Sequence, residues 1–341
     1  MALAHLRSRT LSGKLNILVV LSLITVNIYI VLSIFQVTNV TRTRNAISTK
    51  KPLETVNSDL SQLEAAEIAR KMRNKTLQTM CAGDPARNDV WKLPEPKSVF
   101  HQIIVDEERK FLYCYVPKVA CSNWKRIIKY IQGSLDDINT VQKMDHKKDL
   151  VFLDSFSKEE IDVKLKTYFK FMFVRDPISR LVSAYRNKFK ENIVAFHKRY
   201  GVPIVKKYRR NLVEGNVKGD DVSFEEFIRY LLDTDTSDMD MHWRPMNELC
   251  QPCAVNFDFI GSFEYLSVDA NNVLKTIGAE SNTFFPQRQQ WYKPTTQEKI
   301  SDEMNSVHLN YLQRFVEKYL VDFIMFGYPP PDLKRTDPFK K

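Results

Sequence analysis

The sequence predicts an α/β domain built on a parallel sheet and carried behind one N-terminal membrane helix. Three observations carry that expectation. From about residue 98, short apolar runs alternate with amphipathic stretches of helical period, which is the pattern of strand–helix–strand units. Two of those units, Phe111–Arg126 and Phe171–Tyr185, each run an apolar strand into a turn holding a cation and then into a helix. Upstream, Leu15–Phe35 is a mostly apolar run of 21 residues without a charge, long enough to cross a bilayer.

In chain order, residues 1–14 read as a cytosolic tail and 15–35 as a retained signal-anchor, since no small-x-small cleavage site follows the apolar run. Arg7, Arg9 and Lys14 precede the span and Arg42 and Arg44 follow it, so charge bias is slight. Orientation rests on the bulk of the chain following a first span, which implies a single-pass type II protein with a lumenal domain. Two sequons, Asn39-Val-Thr41 and Asn74-Lys-Thr76, agree with a lumenal setting. Residues 36–95 read as a stem, in which Val56, Leu60, Leu63 and Ala66 fall at helical spacing. Pro94 and Pro96 close it, and 96–341 is the lumenal domain.

Within that domain Phe111–Val116 is a predicted strand. Ser122–Gln132 is a predicted helix with Trp124, Ile127, Ile128 and Ile131 on one face, Ser122 as its N-cap and Gly133 as its stop. Lys158–Tyr168 is a helix and Lys170–Val174 a strand. Ile178–Phe189 is a helix with Asp176 as cap and Pro177 in its first turn. Phe224–Leu232 and Val268–Ile277 are further helices, and Asn256–Ile260 a strand. Internal repeats and low-complexity tracts are absent from the sequence.

The 341 residues carry 43% hydrophobic side chains, enough for a large core, and a net charge of +10, which suits an anionic partner. A lumenal setting disfavours nucleic acid and favours an acidic glycan. Of five cysteines, Cys81, Cys114, Cys121, Cys250 and Cys253, an oxidising lumen permits disulfides, and the odd count leaves at least one unpaired. Cys250-Gln-Pro-Cys253 has the spacing of half a zinc site or a redox pair, but nothing completes a zinc site, and structural disulfide use is the favoured reading.

Helix N-termini offer free N–H groups and partial positive charge, so the two strand–turn–helix units suit a ligand phosphorylated at two places. In the first, Pro117-Lys-Val-Ala-Cys-Ser-Asn123, the amides that follow Pro117 and the Ser122 hydroxyl are suited to wrap phosphate oxygens, with Lys118 to supply charge. The Walker A glycines are missing, which speaks against a nucleotide kinase. In the second, Arg175 stands at the C-terminal end of its strand, where ligands bind in open α/β sheets. The plain alternatives are a solvated lysine in an ordinary turn and an arginine paired with Asp176.

The Pro117–Arg126 segment and the Val-Arg-Asp-Pro-x-x-Arg-Leu-x-Ser-Ala-Tyr-Arg-Asn-Lys-Phe segment of Val174–Phe189 resemble the Golgi carbohydrate sulfotransferases of the HNK-1 sulfotransferase group, over about residues 98–330. The resemblance implies a P-loop-like sulfotransferase fold and a donor, 3′-phosphoadenosine 5′-phosphosulfate. Its 5′-phosphosulfate end is then held by Pro117, Lys118, Val119, Ala120, Cys121, Ser122 and Asn123. Its 3′-phosphate is held along Arg175, Asp176, Pro177, Ile178, Ser179, Arg180, Leu181, Val182 and Ser183. Six further stretches resemble the dermatan 4-sulfotransferase branch: Lys143-Met-Asp-His146, Asp149–Leu153, His242-Trp-Arg-Pro, Leu249–Val255, Asp258-Phe-Ile-Gly-Ser262 and Arg288-Gln-Gln-Trp-Tyr-Lys-Pro294. That implies transfer to the 4-hydroxyl of N-acetylgalactosamine beside iduronate, in the Golgi membrane, without a metal; chondroitin is the alternative acceptor. A non-catalytic glycan-binding protein is the alternative of another class. The Asn-Glu that often precedes His-Trp in the group is Asp240-Met241 here.

Sulfuryl transfer needs a base for the acceptor hydroxyl and a cation on the leaving phosphate, and Lys118 suits the second role. His146 is the favoured base because a related uronosyl sulfotransferase family places a catalytic histidine before a similar apolar stretch. His242 is its rival, and Glu191 and Glu264 stay open. Lys198, Arg199, Lys206, Lys207, Arg209 and Arg210 form a basic run expected to bind acceptor carboxylates and sulfates, with His242 as a further acceptor contact.

Overall fold

The structure, a computed structural model, describes residues 53–83, 85–138, 149–210, 215, 217–280, 283–286 and 294–333. The expected span 15–35, the sequon at Asn39, the stretch holding His146 and residues 288–293 lie outside the described residues. The chain divides into two compact units, Met1–Asp59 and Leu60–Lys341. Of the first, only the opening of helix α1 (Leu53–Ala82) is described.

The second unit holds a four-stranded sheet in the order β1 (Ile103–Asp106), β2 (Phe111–Cys114), β3 (Phe169–Val174), β4 (Phe259–Ser262). β2, β3 and β4 run parallel, as expected, while β1 pairs antiparallel with β2 and makes the sheet mixed. The hairpin between β1 and β2 turns through Lys110, whose φ is 51°. The last strand starts later than the sequence pattern places it. Asn256 sits at φ 56°, closing the helical turn Pro252–Val255, and the Asp258 carboxylate accepts the Lys170 amide at 2.7 Å before pairing begins.

Helix α2 (Cys121–Ile131) lays Trp124 across the sheet, 5.0 Å from the Phe171 ring and 5.2 Å from Phe173. Gly261 on β4 is required by the same packing: a Cβ there would lie 2.4 Å from the Phe173 ring. Further helices among the described residues include α3 (Lys158–Thr167), α4 (Pro177–Tyr185), α5 (Val202–Tyr208), α6 (Phe224–Asp233), α7 (Met246–Cys250), α8 (Leu266–Thr276), α9 (Gln297–Asn305), α10 (Leu309–Lys318) and α11 (Leu320–Met325). The predicted Ile178–Phe189 helix ends its α-geometry at Tyr185 and widens into a π turn, Arg186–Lys190.

Among the described residues two hydrophobic cores result. One surrounds the sheet; the other gathers α4, α5, α6, α10 and the loop bearing Trp243. Two disulfides reinforce the first, Cys114–Cys250 and Cys81–Cys253, each stabilising by roughly 2–5 kcal/mol. Cys250 and Cys253 therefore bond outward to different partners rather than to each other, which removes the redox-pair and zinc readings of that motif; Cys121 is the free thiol. From Leu60 onward α1 docks beside β4. Buried Arg73 donates to the carbonyls of Ile260 (2.7 Å) and Phe326 (3.2 Å), and Arg70 pairs with Asp269 at 2.8 Å. The helical spacing read at Val56, Leu60, Leu63 and Ala66 falls inside this helix. Among the described residues no helix is long and apolar enough to cross a membrane.

Candidate active site

Parallel register sets Cys114 beside Met172, so the inner strands β2 and β3 release their two turns side by side at the carboxyl end of the sheet. After β2 the chain reverses through Lys118 (φ 70°) and Ala120 (φ 56°), two non-glycine residues in the left-handed region within three positions. Such strain concentrates at ligand-binding turns. Ala120, not Ser122, is the N-cap of α2, two positions earlier than the hydroxyl pattern implies, because these two left-handed residues precede the helix start. The first-turn amides of Cys121 and Ser122 have no intrahelical partner, the ordinary condition of a helix start and the basis of anion binding there.

After β3, Asp176 caps α4 as expected, accepting the Ser179 amide at 2.7 Å, with Pro177 in the first turn. Arg175 does not pair with it. Arg175 Nη1 donates to the Lys118 carbonyl at 3.1 Å, and its guanidinium stacks over Phe263 at 4.1 Å. The structure thus brings the two predicted cradles into direct hydrogen-bonded contact. Of the carried-over run, Pro117, Val119, Pro177, Ile178, Leu181 and Val182 are buried packing positions. Ser179 and Ser183 lie one turn apart on α4, and Ser122 is exposed at the mouth of the first turn.

Arg180 has a different place from the one the motif implies. It is buried, and its fork donates to three carbonyls: Pro117 (3.1 Å), Met241 (2.9 Å) and Arg244 (2.8 Å). It bridges the sheet core to the helical core. The residues following two of those carbonyls are Lys118 and His242, so one guanidinium holds the roots of both.

Around this clamp the charges are closely coupled. Burial lowers the Lys118 ammonium to about 8, with Lys188 and Arg175 lowering it further against Cys121 and Glu191. Burial also lowers Lys188, which rests 4.2 Å from the Phe196 ring. His242 stacks edge-on against the same Phe196 ring at 5.4 Å. Its Nδ1 lies 2.6 Å from Asp240 Oδ1, and Asp240 Oδ2 accepts the Tyr200 hydroxyl at 3.1 Å. Lys188, Tyr200 and Asp240 were not among the predicted site residues. The only sequence trace of the last is the Asp-x-His spacing before Trp243.

The basic run splits. Arg209 is an internal anchor, donating to Glu226 at 2.8 and 2.9 Å and pairing with Asp221, and these carboxylates raise its pKa against burial. Lys207 pairs with Asp233 at 3.1 Å. Lys198, Arg199, Lys206 and Arg210 are exposed. Of the two carboxylates left open as bases, Glu264 accepts the Asp176 amide and the Tyr328 hydroxyl, and exposed Glu191 accepts from Asn187.

Comparison with known proteins identifies the family. Residues 101–329 match the model of the Sulfotransferase family. Carbohydrate sulfotransferase 14 of Danio rerio is 45% identical over 279 residues, covering 81% of this chain and 76% of that protein. Carbohydrate sulfotransferase 14 of Homo sapiens is 46% identical over 271 residues, 79% and 72% of the two chains. Carbohydrate sulfotransferase 11 of Rattus norvegicus is 35% identical over 298 residues, 84% of each. No solved structure matches the chain significantly. The chain belongs to the Sulfotransferase family and is a sulfotransferase.

Proposed function

We propose that this enzyme moves the sulfo group of 3′-phosphoadenosine 5′-phosphosulfate to the 4-hydroxyl of N-acetylgalactosamine in dermatan, beside iduronate. The observation that carries the donor half is the contact of Arg175 with the Lys118 carbonyl, which joins a 5′-phosphosulfate turn and a 3′-phosphate turn into one double-phosphate site. Lys118 and the α2 amides hold the 5′ end and Arg175 with the start of α4 the 3′ end, in a P-loop-like arrangement. As the acceptor oxygen bonds to sulfur, the sulfur–oxygen bond to the 5′-phosphate breaks, and Lys118 meets the charge left on that oxygen.

The acceptor half rests on the greater identity to relatives named carbohydrate sulfotransferase 14, 45–46%, than to those named carbohydrate sulfotransferase 11, 35%. The exposed cations Lys198, Arg199, Lys206 and Arg210 supply a surface for a polyanionic glycan. We further place the domain in the Golgi lumen behind the 15–35 anchor, with glycan on Asn39 and Asn74. Incubation with labelled donor and either desulfated dermatan or desulfated chondroitin, followed by disaccharide analysis, tests the reading. Label at the 4-position next to iduronate is expected. Preference for chondroitin contradicts the acceptor assignment, and no transfer to either contradicts the function.

A further inference from the structure

We infer that His242 is the general base of the transfer, held by Asp240 and Tyr200 as positioning residues. The inference rests on the donor-and-acceptor reading above and names the group that reading lacks. Its geometry stands on two features. First, Arg180 binds the carbonyls of both Pro117 and Met241, so Lys118 and His242 leave one clamp as neighbours, each the next residue in its chain. The Tyr115 hydroxyl, 4.0 Å from Met241 Sδ, ties the same two segments a second time. Second, the imidazole is oriented. The Asp240 carboxylate can only accept, so the 2.6 Å contact puts the proton on Nδ1 and leaves the Nε2 lone pair available. The His242 backbone amide donates to the same carboxylate oxygen at 3.0 Å, and the Tyr200 hydroxyl holds the other oxygen. A carboxylate–imidazole pair fixed from both sides is the arrangement that makes a histidine a base rather than a packing residue.

The surroundings keep this imidazole neutral and ready to accept. Burial lowers its pKa, Asp240 opposes that, and the Lys188 and Lys118 ammoniums lower it further. Burial raises Asp240, but the His242 and Tyr200 hydrogen bonds outweigh it and hold the carboxylate ionised. Glu191 and Cys121 act on the two lysines of the group. In the step itself the acceptor hydroxyl gives its proton to Nε2 as its oxygen bonds to sulfur. The electron pair of the breaking sulfur–oxygen bond goes to the 5′-phosphate beside Lys118, and the imidazolium then releases the proton to solvent.

The test compares the wild type with His242→Ala, Asp240→Asn and His146→Ala. It measures turnover across pH with labelled donor, and binding of 3′-phosphoadenosine 5′-phosphate by calorimetry as the check on folding. His242→Ala is expected to lose about 10²–10⁴-fold in kcat with nucleotide binding unchanged, the range of a removed general base. Asp240→Asn is expected to lower kcat and move the acid limb of the kcat/KM profile to lower pH, because Asp240 raises the imidazole; a merely structural role would leave that limb in place. Turnover retained by His242→Ala overturns the inference, as does loss of nucleotide binding together with turnover. So does an acid limb abolished by His146→Ala and kept in His242→Ala. These outcomes contradict the base alone, whereas a wild type that transfers no sulfo group contradicts the function as well.

Discussion

Lys118 and His242 leave the same guanidinium clamp, yet they reach it by different routes. The donor side is made of chain geometry. Two neighbouring parallel strands end within two residues of each other, two turns follow, and the cations sit where strand hands over to helix. The proposed base side is made of side chains brought from separate segments: Lys188 on a π turn, Tyr200 before α5, Asp240 and His242 on the loop before α7. The difference teaches that a phosphate site can be specified within a dozen consecutive residues, because strand, turn and helix start supply the ligands together. A base needs a partner, an orienting bond and a dry wall, and only the second core can assemble those.

Substitutions and pH separate the two sides. The largest effect is expected from Lys118→Ala. Losing a cation placed on the leaving oxygen should lower kcat by about 10²–10³-fold, read in single-turnover sulfation. Next is pH. Burial holds Lys118 at about 8, below an ordinary lysine, so the free enzyme loses this charge as pH rises through that value. Donor affinity should be flat below about 8 and fall about tenfold per unit above it, with proton uptake on binding, measurable by calorimetry in two buffers. Lys188→Met should move the break upward, since Lys188 is one cause of the lowering. Third, Arg209→Ala should lower stability by about 1 kcal/mol in chemical unfolding, because a partly exposed pair on a capping glutamate is worth no more, while leaving acceptor KM unchanged. Smallest is Lys198→Glu with Arg199→Glu, expected to raise acceptor KM by about two- to fivefold and flatten its salt dependence, with donor binding unaffected.

Sequence patterning placed most strands and helices because apolar periodicity is local. It missed β1, whose Ile103-Ile-Val run belongs to a sheet only through its antiparallel partner β2. It extended the helix after Pro177 through Phe189, because the apolar period continues into the π turn that carries Lys188. Ser122 read as a cap from its residue type, whereas the left-handed pair Lys118 and Ala120 fixes the helix start. The pairing of Cys114 with Cys250 and Cys81 with Cys253 joins residues 136 and 172 positions apart, a distance no local pattern reports. In the same way Arg180 looked like one more phosphate ligand, and only its three carbonyl partners show it to be the joint between the cores. The basic run read as a continuous surface; tertiary partners claim Arg209 and Lys207 and leave the others outward.

If the two turns hold the two ends of one nucleotide, each end can be removed separately. The most direct measurement is calorimetric binding of adenosine 3′,5′-bisphosphate and of adenosine 5′-monophosphate to wild type, Lys118→Ala and Arg175→Ala. Lys118→Ala is expected to weaken both ligands, and Arg175→Ala to weaken the bisphosphate far more than the monophosphate, because it removes a phosphate cation as well as the bond to the Lys118 carbonyl. Equal weakening of both ligands by Arg175→Ala would contradict the account.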